Sequence, residues 1–296
     1  YKYDSESGKA YLPVNIIDVA GLVPEAWKGK GLGNKFLDDL RQANGLIHVI
    51  DASGKTDAKG EPTEGYNPLK DLEFLEKEID MWLTGIIEDK WKSINRRVKS
   101  ENLDMATILS EKLAGIGINE SQVRDALRNI EPKKENISKI ASKIRKESKP
   151  MVIAANKADS VPEEELEDLL KRAQNEGYNI YPTSAESELA LVRAADKGLI
   201  NYKPGDNDFK ITGNLSDEQK NGLEKIRNKV LGRFGGTGVQ KVIQETMVNI
   251  LNRIVVYPVE DANKLCDNKG NVLPHAFLME KNSNPHNLAY KIHSDI

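Results

Sequence analysis

The chain has 296 residues, enough for two or three domains and a sizeable core. With 43 Lys and Arg against 46 Asp and Glu its net charge is −3, which excludes a polycation that binds nucleic acid by bulk charge, and 30% charged residues describe a solvated surface. No apolar run approaches the ~20 residues that span a bilayer, no signal-peptide pattern is in view, and the single Cys266 excludes an internal disulfide or a thiolate metal cluster, so the composition reads as a cytoplasmic protein with no membrane partner.

In chain order, the opening Tyr1-Lys2-Tyr3-Asp4, the turn Ser5-Glu6-Ser7-Gly8 and the run 9–17 read as an antiparallel hairpin. Asp18-Val19-Ala20-Gly21 follows at the expected strand end. There a carboxylate can hold a metal-bound water, and a glycine N–H can approach a terminal phosphate because no Cβ stands in the way. About one Asp-x-x-Gly is expected by chance in a chain of this length, so the motif counts only in company. Gly45-Leu46-Ile47-His48-Val49-Ile50-Asp51 reads as a strand, with His48 a satisfied core residue, and the four histidines show no metal-ligand spacing. Asn67 and Pro68 predict a helix start, and Leu72, Leu75, Ile79, Trp82, Leu83, Ile86 and Trp91 recur at helical steps. A second helix is expected over 103–113, ending at Gly115. A third starts at Asn119 with Gln122 at capping-box spacing, and Ile137, Ile140 and Ile144 mark a fourth. The apolar stripe reads as packing between these helices. Lys90, Lys92, Arg96, Arg97 and Lys99 read as a solvated face more readily than as a phosphate-binding groove.

The most informative stretch comes next. Pro150-Met151-Val152-Ile153-Ala154-Ala155 reads as a buried parallel strand, and it closes on Asn156-Lys157-Ala158-Asp159. The carboxyl ends of such strands are where open α/β sheets bind ligands. A carboxylate at Asp159 can accept from both the ring N–H and the exocyclic amine of guanine, whereas adenine offers no matching pair of donors. A buried group left unpaired costs roughly 1–3 kcal/mol, enough to select a base. The Lys157 stem would lie along the base face, and the Asn156 amide would tie neighbouring loops. The strand-like Asn179-Ile180-Tyr181-Pro182 leads into Thr183-Ser184-Ala185-Glu186, a loop able to present backbone N–H groups to the base. Beyond it a helix is expected over 188–197, a loop over 201–213 and a helix over 217–234. Gly235-Gly236-Thr237-Gly238 is no phosphate loop, because no Lys-Ser/Thr follows and no strand precedes. Lys225, Arg227, Lys229, Arg233 and Lys241 make this region locally basic, a weak hint of ribosomal RNA contact.

Taken together, Asp18-Val-Ala-Gly-Leu22-Val-Pro24, Gly29-Lys-Gly-Leu-Gly-Asn-Lys-Phe36, Asn156-Lys-Ala-Asp159 and Thr183-Ser-Ala-Glu186 resemble the Obg/YchF branch of P-loop GTPases, most closely its archaeal-type YchF-like members. The resemblance runs over essentially the whole chain. At its carboxyl end, Ile254-Val-Val-Tyr-Pro-Val-Glu260 and Gly270-Asn-Val-Leu-Pro-His-Ala-Phe-Leu-Met279 resemble the start of a TGS domain.

This resemblance implies an α/β fold with a mostly parallel GTPase-type sheet, a helical insertion and the start of a β-grasp-like TGS domain. It implies a G domain over 1–65 and 135–200, the insertion over 66–134, a helical linker region over 201–252 and a partial TGS domain over 253–296. It also implies a nucleotide-dependent switch that hydrolyses GTP to GDP and phosphate with Mg²⁺, by positioning and charge stabilisation. GTP and GDP would be bound by Asp18, Gly21, Asn156, Lys157, Asp159, Ser184, Ala185 and Glu186, with Asp18 holding the metal through water. Residues 22–37, with Gly29, Gly31 and Gly33, would be the mobile switch. Leu22 stands where Ras-like GTPases carry a water-orienting glutamine, which implies slow turnover or a catalytic group supplied from elsewhere. A branch of the family prefers ATP and has an altered tetrad; here Asp159 is intact, so guanine is expected. Partners would be the ribosome or RNA, through the TGS domain and the helical arm. No Gly-x-x-x-x-Gly-Lys-Ser/Thr occurs, so the chain reads as a fragment cut at both ends, inactive by itself, with the phosphate loop before Tyr1. The alternatives are a natural relative without that loop, or a non-catalytic RNA- or protein-interaction module with a vestigial nucleotide site.

Overall fold

A computed structural model describes residues 2–4, 9–19, 39–273 and 275–292. The chain divides into two compact units, one of residues 1–18 with 247–296 and one of residues 19–246.

In the first unit, β1 (Lys2–Asp4) and β2 (Lys9–Tyr11) pair antiparallel, as the hairpin reading expects. The second strand stops at Tyr11, well short of the expected Ile17. Residues 12–19 join no ladder, and Ile16 and Ile17 are exposed, so the apolar run Val14–Ile17 marks no strand among the described residues.

The larger unit is built on a three-stranded parallel sheet in the order β3 (Leu46–Asp51), β4 (Met151–Asn156), β5 (Asn179–Pro182). Val152, Ile153, Ala154 and Ala155 of the central strand are all buried, which is why its sequence is a continuous apolar run without alternation. The register pairs Asp51 with Asn156 and Ala155 with Pro182, so the three strands end together. On this sheet, α5 (Glu163–Asn175) buries Leu166, Leu169 and Ala173 against Ile153, Ala155 and Ile180.

Between β3 and β4 run α1 (Leu69–Glu101), α2 (Met105–Leu113), α3 (Glu120–Leu127) and α4 (Ile137–Ser148). α1 has 33 residues, about 50 Å at 1.5 Å per residue. Asn67 Oδ1 accepts the Leu69 N–H at the start of α1, with Pro68 as its cap. The expected stripe is buried except at Ile86, which packs against the core only partly buried beside fully buried Ile87. The Asn119–Gln122 capping box forms in both directions. The stripe packs against α2, α3, α4 and fully buried Leu40, which lies in the short helical stretch 39–42. Lys149, buried just after α4, donates to the Ala43 carbonyl at 2.6 Å and so holds the end of that stretch; burial lowers its pKa.

Two polar features sit inside this packing. Arg145, only 3% exposed, donates to Asp80 at 2.6 Å and to Glu76 at 2.8 Å, joining α4 to α1, and Tyr178 reaches Glu76 from before β5. His48 is not the satisfied core residue expected: its Nδ1 is buried without a partner among the described residues. Burial lowers its pKa to about 4, with the Glu76 charge pulling the other way.

After β5 come α6 (Ala185–Asp196), the short pair β6 (Ile200–Asn201) and β7 (Lys210–Ile211), α7 (Asp217–Ile226) and α8 (Val239–Glu245). Leu191, Ile200, Tyr202, Phe209, Leu223 and Leu231 form a core that α8 does not enter. α7 continues through a π-turn, Arg227–Leu231, to Phe234, and Gly235 ends it in the left-handed region at φ 72°. In the smaller unit, β8 (Arg253–Val256) pairs antiparallel with β9 (Phe277–Glu280), and α9 (Pro285–Ile292) follows reciprocal bonds between Asn284 and Asn287. No helix among the described residues is long and apolar enough to cross a membrane.

Removing Arg145 leaves two acids without their cation, so Arg145→Met should lower the unfolding free energy by about 3 kcal/mol in urea titrations. His48 gives a pH test. Its folded pKa lies below the ordinary histidine value of 6.5, so the unfolded chain takes up a proton that the folded chain refuses between pH 6.5 and about 4. The stability present above pH 6.5 is therefore lost progressively as the pH falls, and His48→Gln should flatten the slope of urea stability between pH 7.5 and 5.

Candidate functional site

The common end of β3, β4 and β5 gathers three loops. After β4 the chain turns sharply: Lys157 takes the left-handed conformation at φ 61°, and 158–160 form a 3₁₀ turn. The Lys157 carbonyl accepts from the Ser160 N–H at 3.0 Å and the Ser160 hydroxyl at 2.8 Å, which holds this sparsely populated backbone geometry in place. Buried Ala158 donates its N–H to the Thr183 carbonyl at 3.1 Å, drawing the turn against the loop after β5.

Asn156 makes the second link. Its Oδ1 accepts the Ala185 N–H at 3.0 Å, so the amide ties the two loops as its position in the sequence suggests. Asp159 is half-buried, and its carboxylate makes no hydrogen bond or ion pair with any described residue. A carboxylate kept at the end of a parallel strand with its acceptor sites open is suited to a ligand with two adjacent donors.

The loop after β5 differs from its expected role in one respect. The Ser184 N–H donates to the Thr237 carbonyl at 2.9 Å, its hydroxyl to Ser187 at 2.8 Å, and the Ala185 N–H is taken by Asn156. The donors expected from Ser184 and Ala185 are spent on the loop's own shape. Glu186, exposed in the first turn of α6, stands where backbone N–H groups have no partner within the helix.

Residues that the sequence reading did not assign to the site support this edge. Asp51, at the end of β3, accepts from the Lys157 ammonium at 2.7 Å. Arg233 donates to the Val161 carbonyl at 2.8 Å and the Ala158 carbonyl at 3.3 Å, gripping the tetrad turn from behind. Thr237 donates its hydroxyl to Glu188, which also accepts from Tyr202 at 2.9 Å. Gly238, at φ 80°, lies so close to β5 that a Cβ would collide with the Pro182 carbonyl. The Gly-Gly-Thr-Gly run is thus a brace for the Thr183–Glu186 loop. The strand-end rule that singles out Asn156 also singles out Asp51; nothing local in the sequence marks Arg233, whose target lies 72 residues away.

The basic stretch is correspondingly less available to RNA than its composition suggests. Arg227 pairs with Asp208 and Glu224, Lys241 pairs with Glu245, and Arg233 is the grip just described. Lys225 and Lys229 stay exposed. On α1, Arg97 pairs with Glu101 and Glu111, leaving Lys90, Lys92, Arg96 and Lys99 exposed.

The six residues Asn156, Lys157, Asp159, Ser184, Ala185 and Glu186 are brought to one edge. Asp18 belongs to the other compact unit, where it is exposed in the irregular run 12–19; Gly21, Leu22 and the switch over 22–37 lie outside the described residues.

Residues 154–261 match the family model described as "Obg-like GTPase YGR210-like, G4 motif-containing domain". A GTP-binding protein of Methanocaldococcus jannaschii is 46% identical over 296 aligned residues, covering 98% of this chain and 74% of its own length. The chain belongs to the Obg-like, YchF-related GTP-binding proteins. The crystal structure of a GTP-binding protein from Pyrococcus horikoshii OT3 superposes with a TM-score of 0.73 at 43% identity, covering 88% of this chain and 71% of that one. A more distant member, the "Ribosome-binding ATPase YchF" of Buchnera aphidicola, is 30% identical over 191 residues, 61% of this chain and 49% of its own. The matched span 154–261 of this Obg-like protein takes in the tetrad, the loop after β5, and the Arg233 and Gly238 braces.

The brace is open to test. Gly238→Ala adds a Cβ against backbone at a positive φ, and the cost should be about 1–3 kcal/mol. The thermal midpoint should fall, and the Ser184 amide should exchange with deuterium faster than in the parent.

Proposed function

We propose that this chain carries the base-reading part of a nucleotide-dependent switch that binds GTP and GDP and hydrolyses GTP to GDP and phosphate. The observation that carries the reading is the half-buried Asp159 carboxylate, left open at the strand end while Asn156 and Ala185 hold the loops on either side. Guanine presents a ring N–H and an exocyclic N–H₂ at the spacing of two carboxylate oxygens. Adenine presents an acceptor at that ring position, and pairing would fail. The Lys157 stem would supply an apolar strip for the face of the base, and the Glu186 N–H, in the first helical turn where no partner lies within the helix, would serve the purine carbonyl. Family membership supports the phosphate chemistry.

Among the described residues no group of three or more His, Cys, Asp or Glu could hold a metal by itself. Asp18, exposed and without a described partner, fits an ion such as Mg²⁺ that keeps most of its water and takes its other oxygens from phosphates. When bound, that ion would neutralise charge developing on the phosphate oxygens. Asp18 would order its water shell, and Gly21 would let backbone approach the terminal phosphate. The name of the Buchnera relative supports a ribosomal partner.

Asp159→Asn in the complete protein replaces one acceptor with a donor facing a donor. GDP affinity should fall at least about tenfold in fluorescence titrations while the thermal midpoint stays within a degree or two. An unchanged preference for guanine over adenine nucleotides would overturn the base-reading role.

A further inference from the structure

Asp51 takes no part in reading the base edge, yet its carboxylate accepts four hydrogen bonds: from the Ser53 N–H at 3.0 Å, the Ser53 hydroxyl at 2.6 Å, the Thr56 hydroxyl at 2.9 Å and the Lys157 ammonium at 2.7 Å. Its side chain is 8% exposed, against 52% for Lys157. We infer that Asp51 is a positioning residue for nucleotide binding, which stretches the Lys157 stem from the end of β4 to the end of β3 and so holds ready the strip on which the base lies. The inference rests on the proposed base-reading role of the tetrad and adds to it the residue that prepares one wall of the site.

The lysine is held at both ends. Its root is fixed by the left-handed backbone at φ 61° and by the two Ser160 bonds to its carbonyl. Its tip is fixed by Asp51. The acid does not depend on the lysine for its direction, because its own loop aims it: Thr56 bridges to Pro62, the Thr63 N–H reaches the Lys55 carbonyl at 2.9 Å, and the Tyr66 N–H reaches the Gly54 carbonyl at 3.1 Å. Gly54, at φ 63°, is required there, since a Cβ would collide with the Tyr66 carbonyl.

An ordinary exposed ion pair leaves a lysine free to wander and contributes little. A pair whose acid is shielded and rigid is different: the stem has lost its rotamer freedom before a ligand arrives, so the ligand need not freeze it. Burial pushes the Asp51 pKa up, but Lys157, Ser53 and Thr56 more than offset this and bring it down to about 2, so the anchor stays charged throughout the neutral range.

A wall touching the face of a purine is indifferent to the groups on its edge. Loss of the anchor must therefore weaken purine nucleotides alike without changing which one is preferred, whereas Asp159 governs preference. Inosine diphosphate, which lacks the exocyclic amine, separates the two roles.

The experiment titrates fluorescent GDP and inosine diphosphate analogues against the complete protein carrying Asp51→Asn, Lys157→Met, both together, or Asp159→Asn. Asp51→Asn keeps an oxygen for the Ser53 N–H and removes the charge that Lys157 uses. It should weaken both nucleotides by about fivefold and leave their ratio unchanged. In the Lys157→Met background the same substitution should have no further effect, because Asp51 acts only through the lysine. A loss that persists in full in that background marks a purely structural loop role and overturns the inference. Unchanged affinity in Asp51→Asn, beside weakened binding in Lys157→Met and a collapsed ratio in Asp159→Asn, overturns the inference and leaves the base-reading role standing. An Asp159→Asn protein with an unchanged ratio removes the base-reading role, and the inference falls with it. Where Asp51→Asn fails to fold, Thr56→Val keeps the charge and loosens its aim, and the same cycle with Lys157→Met decides.

Discussion

The bond from the Ala185 N–H to the Asn156 side chain works only because β4 and β5 end together, and that coincidence is a property of the parallel register. β4 is covered on both faces, so a slip of one residue would draw its polar end residue, Asn156, into the apolar core. The register is therefore strongly specified, and with it the place where the chain must turn. Asn156 uses that turn to hold two loops with one amide, and the Ala158–Thr183 bond repeats the tie on the backbone. Asp159 and Glu186 owe their positions to these two links.

A second layer of support comes from chain far away in sequence. Arg233, Thr237 and Gly238 press on the tetrad turn and on the loop after β5, so the segment following the sheet acts as a back plate. Across the sheet edge, Asp51 and its loop secure the lysine. A site held in this way loses little freedom when a ligand enters, which is the physical content of preorganisation. The helical region has a different connection. Leu40 is embedded among α1–α4 and the Ala43 carbonyl is held by Lys149, so the chain that follows residues 20–38 is anchored in the helical core.

Much of this was legible because the signals were local. The Asn119–Gln122 capping box, the α1 stripe and the continuous run of β4 each depend on neighbours within one or two turns or on burial of both faces. Failures came where local pattern met no partner or an unexpected one. Val14–Ile17 has the composition of a strand, but composition does not create the neighbouring backbone a ladder needs. The basic residues after 224 gave a weak hint of RNA contact; Lys225 and Lys229 stay exposed, whereas Arg227 and Lys241 pair with acids that a local count of basic residues leaves out. Ile86 packs on the core as its spacing expects, but Ile87 lies deeper, because 3.6-residue periodicity drifts along a helix of this length.

What the sequence alone determined was which donors and acceptors are on offer: an Asn-Lys-x-Asp tetrad after a buried strand carries them in its own side chains, and the proposed guanine reading starts from that set. Which backbone donors stay open, what aims the lysine and what braces the turn were decided only by the tertiary structure. Ser184, Asp51 and Arg233 act through partners 53, 106 and 72 residues distant, and no local pattern encodes which distant group a side chain will meet. Hydrogen bonds have a range of about 3 Å, so such partnerships exist only once the packed sheet and helices bring the groups within reach.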